Sequence, residues 1–282
     1  MEEVKLPVFS TIKLSIPIPH CLLITLNRPE SRNAFDGITH WALNSILNYY
    51  ERTDYFRVAV LTGSGDVFCA GQDLKFASRI AEIAQTEPYK SIPALLKPTP
   101  NGWGGLSRRP TLVKPLISAV NGAALGGGCE LALSSDIVVI SDTAIIGLPE
   151  VKVGLYAPWS GTHFLPRTVG LQRSKQMIMT GDPISAHTAK LWGLANRVVP
   201  REQVLPEALK IAAKILEVSP DATRAVKSMA IRSMTTASWM DASREGETSR
   251  ENDAMYAGEN RAEGVKSFVE KRKPSWKGYS KL

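Results

Sequence analysis

The sequence predicts an α/β protein in which strands, glycine turns and helices alternate and a purely helical part follows. Two observations carry this. Apolar runs at residues 57–62 and 114–120 each read as a buried strand that enters a glycine turn and then a helix. From Arg201 onward every apolar pattern has the helical period. The change near Pro200 divides the chain into a core, residues 1–200, and a helical region, residues 201–282.

Residues 11–16 and 21–26 read as strands around the Pro17-Ile-Pro19 turn. Asp36 opens a helix whose Ile38, Trp41, Ala42, Ile46 and Tyr49 form the stripe expected to face the core. After the strand at 57–62, Gly63-Ser-Gly65 turns the chain and Gly71 marks a bend. Asp73 is then placed to cap a helix that starts near Leu74 and fades by Glu87. Residues 88–110 form a long loop with Trp103 and Arg108-Arg109, either a lid or pocket wall or a disordered insertion. The strand at 114–120 is turned by Asn121-Gly122, and a helix continues through Glu130 to Asp136. Gly126 to Gly128 therefore sit at or just before its first turn. Helices follow at 160–169, 171–179 and 187–192, then a strand at 196–199. The C-terminal helices are expected at 204–218, 222–235, 241–257 and 261–271.

Over 282 residues the net charge is +7, which favours anionic partners. The densest basic run, Lys271-Arg-Lys273, reads as a solvated helix end. Without aromatic residues interleaved among basic ones, nucleic acid is not the expected partner. The three cysteines form no C-x-x-C pair, favouring a reducing intracellular setting, and the four histidines show no metal spacing, so no metal is expected. No apolar run approaches the ~18 residues of a membrane span, and residues 1–7 lack a secretory apolar region. Ser280-Lys281-Leu282 is the peroxisomal address, so a peroxisomal location and an import receptor are expected.

The chemistry concentrates in Asn121-Gly-Ala-Ala-Leu-Gly-Gly-Gly-Cys-Glu130 and Gly147-Leu-Pro-Glu150. N–H groups in the first turn of a helix have no intrahelical partner, and glycines let a ligand touch the backbone itself. A nucleotide phosphate loop is excluded because Gly128-Cys129 stands where Lys-Ser/Thr is required. The spacing Gly122, Gly126, Gly128 also fails the dinucleotide fingerprint. A second glycine bend, at Gly71, presents another free N–H. A pair of such donors is what an oxyanion hole requires.

The chain resembles the enoyl-CoA hydratase/isomerase (crotonase) superfamily. The resemblance lies in Leu26-Asn-Arg-Pro-Glu30 with Asn33-Ala-Phe35, in Phe68-Cys-Ala-Gly-Gln-Asp-Leu-Lys75, and in Ala119-Val-Asn-Gly-Ala-Ala-Leu-Gly-Gly-Gly-Cys-Glu-Leu-Ala132. Gly147-Leu-Pro-Glu150 and Glu263-Gly-Val-Lys-Ser-Phe-Val-Glu-Lys-Arg-Lys-Pro274 extend it to nearly the whole chain. It implies a spiral core of stacked ββα units, with C-terminal helices that build a homotrimer or a dimer of trimers. It also implies an enoyl-CoA hydratase that needs no cofactor, coenzyme A being part of the substrate. A Δ3-Δ2 enoyl-CoA isomerase is the alternative enzyme, and an RNA-binding relative the alternative of another class.

By motif position the resemblance makes Gln72 and Gly127 the backbone oxyanion donors, Glu130 the acid that activates water, and Glu150 the one that serves Cα. The Gln72 side chain is larger than the alanine frequent there, and its amide is expected to reach the pocket. Ala70, Gln72, Asp73, Leu74, Lys75, Gly126 and Gly127 are implied as CoA or substrate contacts, with Phe268 and Lys273 adding contacts from the C-terminal region. The segment after Glu150 departs from the family's glycine-rich pattern. There Pro158 has no N–H and Trp159 adds bulk, so both are expected to shape the acyl pocket and to admit a branched or hydroxylated acyl group.

Overall fold

Residues 4–86, 99–109 and 112–281 are described by the computed structural model. An antiparallel pair, β1 (Ile12–Ser15) and β2 (Cys21–Leu26), leads into α1 (Gly37–Arg52), and three turns of similar construction follow. The first is β3 (Val58–Gly63), β4 (Val67–Cys69) and α2 (Leu74–Thr86). The second is β5 (Leu116–Val120), β6 (Ala123–Leu125) and α3 (Gly127–Leu133). The third is β7 (Ile137–Ser141) and β8 (Ile145–Gly147), with the 3-10 turn Pro149–Val153 where a helix would follow. After α4 (Leu165–Val169) and α5 (Leu171–Thr180) come β9 (Ile184–Ser185), α6 (Ala186–Leu191) and β10 (Arg197–Val199).

Each turn gives its first strand to one sheet and its second to another. The six-stranded sheet runs β1-β2-β3-β5-β7-β10 and the four-stranded sheet β4-β6-β8-β9, which is the stacked ββα spiral. Register carries across the large sheet: Val60 pairs with Leu23 on one side and Ile117 on the other, and Ile117 with Ile137. The turns that join the sheets stack so closely that a Cβ on Gly122 would fall 1.9 Å from Asp66 O. Only glycine fits there.

The parallel strands are covered on both faces, which is why they read as continuous apolar runs. Ala59 and Leu61 point into the main core with α1. Val58 and Val60 point the other way, onto Val204, Ala208 and Ala212 of α7 (Val204–Leu216). The remaining helices are α8 (Pro220–Thr235), α9 (Trp239–Glu247), α10 (Arg250–Ala257) and α11 (Glu259–Val269). Among the described residues no helix is long and apolar enough to cross a membrane.

Several expectations are corrected. In α1 the buried face is Thr39, Ala42, Leu43, Ile46, Leu47 and Tyr50, while Ile38 is 55% exposed. The face is rotated because Tyr50 is the buried aromatic, its hydroxyl bonded to Pro115 O at 2.7 Å. The expected helix at 241–257 is two helices, since Ser249 caps α10 by accepting from Asn252 N. The expected helix at 160–169 begins only at Leu165, because the Gly161 N–H goes to Glu130 Oε1 and the Thr162 N–H to Ala157 O, which makes the segment before it a turn. Of the long loop at 88–110, residues 99–109 are packed as a wall, while 87–98, 110 and 111 lie outside the described residues. Leu282 of the terminal tripeptide also lies outside them.

Candidate active site

Glu130 enters the site from the first turn of α3 and is only 2% exposed. Its Oε1 accepts the Gly161 N–H at 2.8 Å, and the N–H groups of Trp159 and Ser160 also turn to the carboxylate. Burial raises its pKa to about 7. The Gly161 hydrogen bond opposes that rise, and the charge of Glu150 adds to it. The missing N–H of Pro158 is not needed, because Gly161, three residues on, supplies a donor.

Glu150 comes from the 3-10 turn after β8, and burial raises its pKa as well. A Cβ on Gly126 would stand 2.9 Å from its Oε1, so the carboxylate lies directly against the glycine run. Its Oε2 is buried with no hydrogen-bond partner among the described residues. An orphaned buried oxygen is costly unless it carries or meets a proton. The Glu150 carboxyl thus stands beside Gly126 through Oε1, with Oε2 left free to carry a proton.

The two proposed oxyanion donors converge. Gly71 and Gly126 both have positive φ, +93° and +55°, and a Cβ on Gly71 would come 3.1 Å from Gly127 N and 2.8 Å from Leu125 O. Phe35 frames the first donor by donating to Gly71 O and accepting from Asp73 N, which leaves the Gln72 N–H turned the other way. Gly127 opens α3, where its N–H has no intrahelical partner. Neither N–H makes a hydrogen bond within the chain among the described residues.

The side chain of Gln72 does not reach the pocket, contrary to expectation. Its Nε2 donates to Phe35 O at 3.0 Å, and its Oε1 meets His40 Nε2 at 3.0 Å and Trp103 Nε1 at 3.2 Å. Gly104 N donates to His40 Nδ1 at 3.0 Å, so the proton of the neutral ring sits on Nε2. Burial lowers the His40 pKa and keeps it in that form. Trp103 packs closely against Gly127: a Cβ there would fall 2.1 Å from its ring atoms. Arg28 steadies the same corner by pairing with Asp36 and Asp73, each at 3.3 Å.

The remaining sequence-derived positions divide. Ala70, Gln72 and Asp73 are half-buried, and Asp73 caps α2 by accepting from Lys75 and Phe76 N–H. Leu74 and Lys75 are exposed on its first turn, and Pro158 and Trp159 are half-buried on the turn beside Glu130. Phe268 and Lys273 are exposed on the helical region, and among the described residues no hydrogen bond or ion pair joins them to the site. Cys129 is buried with its thiol pKa pushed well up by burial, which makes it a core filler. The sequence itself offers no role for His40, for Arg108 or for the backbone N–H of Gly161. Only Trp103 and Arg108 carried a signal, as large residues in a loop of wall-forming length. No group of three or more His, Cys, Asp or Glu that could hold a metal ion occurs among the described residues.

The enoyl-CoA hydratase/isomerase family model matches residues 20–279. A mevalonyl-coenzyme A hydratase of Beauveria bassiana is 39% identical over 280 residues, covering 96% of each chain. One of Aspergillus fumigatus is 40% identical over 268 residues, covering 94% of each. A 2,3-dehydroadipyl-CoA hydratase of Escherichia coli is 37% identical, over 91% of this chain and 95% of its own. Among solved structures, an enoyl-CoA hydratase from Mycobacterium marinum superposes with a TM-score of 0.83 at 30% identity, over 94% of this chain and 98% of its own. With the family model spanning most of the chain and relatives above 30% identity along nearly all of it, this chain belongs to the enoyl-CoA hydratase/isomerase family.

Proposed function

We propose that this enzyme adds water across the α,β double bond of an acyl-CoA thioester, or removes it in reverse, using Glu130, Glu150 and the N–H groups of Gln72 and Gly127. The observation that carries this reading is the placement of the buried Glu130 and the half-buried Glu150, whose Oε2 is shut off from solvent, beside two unengaged backbone donors. The thioester oxygen accepts from both N–H groups as charge develops on it, an arrangement in which one donor is worth ~3–4 kcal/mol. Ionised Glu130 takes a proton from water as the oxygen bonds to Cβ. Protonated Glu150 gives its proton to Cα, and the product is the 3-hydroxyacyl-CoA. The two raised pKa values suit one proton shared between neighbouring acids.

Two relatives named for mevalonyl-coenzyme A support a branched, hydroxylated acyl group as substrate. Residues 70–75 are proposed to receive coenzyme A. A homotrimer or dimer of trimers is proposed for the assembly, supported by apolar side chains left on the helical region: Val226 is 62% exposed, Trp239 76% and Phe268 84%. Phe268 and Lys273 would reach coenzyme A only across such an interface. Peroxisomal import through Ser280-Lys281-Leu282 belongs to the same proposal and rests on the sequence. A panel of acyl-CoA thioesters, followed by loss of the conjugated enoyl absorbance, tests the reaction. No loss with any enoyl-CoA would reject it.

A further inference from the structure

Two adjacent arginines on the 99–109 wall do different things. Arg109 is 9% exposed, and its guanidinium donates to Gly105 O, Asn48 Oδ1, Asn44 O and Asn44 Oδ1 at 2.7–3.1 Å. It clamps the loop onto α1. Arg108 is exposed and makes no ion pair or side-chain hydrogen bond among the described residues. Its guanidinium carbon lies 4.3 Å from the centroid of the Trp159 ring. Such stacking fixes the plane of a guanidinium and leaves the N–H groups at its rim free to donate.

The loop sets where this cation stands. Arg108 N donates to Asn101 O at 2.9 Å, and Trp103 N to Ser107 Oγ at 2.7 Å. The wall therefore begins with Trp103 on Gly127 and ends with Arg108 over Trp159, two residues before the Gly161 N–H that donates to Glu130. In the hydration reading the thioester carbon lies at Gly127, Cα at Glu150 and Cβ at Glu130. The acyl chain beyond Cβ then continues past Glu130 toward the Trp159–Arg108 stack. A methyl terminus leaves the guanidinium donors unused there, whereas an oxygen-bearing terminus accepts a charge-assisted hydrogen bond.

We propose that Arg108, held on the Trp159 ring, selects acyl-CoA substrates whose acyl chain ends in a hydrogen-bond-accepting oxygen, a hydroxyl or a carboxylate. This rests on the hydration reading for the direction of the acyl chain.

The test is calorimetric binding of saturated analogues, which needs no turnover: pentanoyl-, 5-hydroxypentanoyl- and glutaryl-CoA, and the six-carbon set hexanoyl-, 6-hydroxyhexanoyl- and adipoyl-CoA. In at least one set an oxygen-ended analogue should bind ~10-fold or more tighter than the methyl-ended one. A larger gain for carboxylate than for hydroxyl identifies an anionic substrate, and the reverse a neutral one. Arg108→Met, which can still pack on the Trp159 ring, should abolish the preference. Arg108→Lys should keep part of it, and circular dichroism verifies the fold of both. Equal binding across each set in the wild type, or a preference that survives Arg108→Met, would overturn the proposal. So would an equal loss for every analogue and for free coenzyme A, which would assign Arg108 to the phosphates. Absent turnover with the binding preference intact would count against the hydration reading and leave the selectivity of Arg108 standing.

Discussion

Gly161 donates its N–H to Oε1 of Glu130 at 2.8 Å, and a Cβ at position 161 would stand 3.2 Å from that same oxygen. The hydrogen bond and the missing side chain belong together. They fix the direction of the carboxylate and favour its ionised form against a burial that pushes its pKa to about 7. A base with a pKa near neutrality is both ionised and proton-avid enough to activate water.

Gly161→Ala should disturb this arrangement. The new Cβ would meet Ala157 Cβ at 2.6 Å and Leu148 Cδ1 at 3.0 Å, so the turn must shift and draw its N–H from Glu130. A kcat loss of ~10- to 10²-fold is expected, within the range that a positioned base supplies. The ionised form also loses a donor, so the rise of kcat with pH should move to higher pH. A wild-type pH profile in this variant would show that the Gly161 bond does not tune Glu130.

Gly127→Ala places a methyl group 2.1 Å from the Cε2–Cζ2 edge of the buried Trp103 ring. Overpacking of this kind costs ~1–3 kcal/mol, and displacing an oxyanion donor costs ~10²-fold or more in kcat. Thermal melting and steady-state rates measure the two effects. Adding Trp103→Phe, which removes the ring edge that clashes, should restore part of the stability. A Gly127→Ala enzyme with wild-type kcat would remove Gly127 from the oxyanion hole.

Much of this site was legible in the sequence, because its parts are backbone features that glycines announce. Gly71, Gly126 and Gly127 mark the two donor loops, and Asp73 marks the helix start beside one of them. The strands β2, β3 and β5 were legible as continuous apolar runs. The three-residue strands β4, β6 and β8 were not, since three residues carry no period, and the five-residue β7 was also missed. The inward turn of the Gln72 amide was hidden because its partners, His40 and Trp103, lie 32 and 31 positions away. The donors at 159–161 were hidden for a related reason. A backbone N–H has no sequence signature, and the segment Ser160-Gly-Thr-His-Phe164 reads equally well as a helix start.

Glu130 also carries a stability signature. Its pKa is raised from 4.5 to about 7 in the folded chain, so over that interval the folded state holds the extra proton. Stability contributed by the protonated form is present below 4.5 and is lost as pH rises toward 7. Glu130→Gln removes the titration. It should be more stable than the wild type at pH 8 by ~2–3 kcal/mol, with the difference vanishing near pH 4. Denaturant unfolding across pH checks this. A pH-independent difference would mean that Glu130 is not desolvated as described.

His40→Phe removes two hydrogen bonds at once, leaving Gly104 N–H without its acceptor and Gln72 Oε1 with one donor fewer. Orphaning a buried donor costs ~1–3 kcal/mol. Because the proposed mechanism draws an oxyanion donor from the Gln72 N–H, kcat should fall while KM changes less. Unchanged melting and unchanged kcat would show that the ring is dispensable to the wall.

The most direct test of the two-acid account is the rate of enoyl-CoA hydration by Glu130→Gln, Glu150→Gln and the double variant, each shown by calorimetry to bind acyl-CoA. Each single variant should lose ~10²-fold or more. The double variant should lose much less than the product of the two, since both acids serve one transition state. On a 3-enoyl-CoA, an isomerase would keep most of its activity in Glu130→Gln and lose it in Glu150→Gln. Full hydration activity in Glu150→Gln would contradict the account, because Glu150 is the acid that lies against the glycine run where Cα must sit.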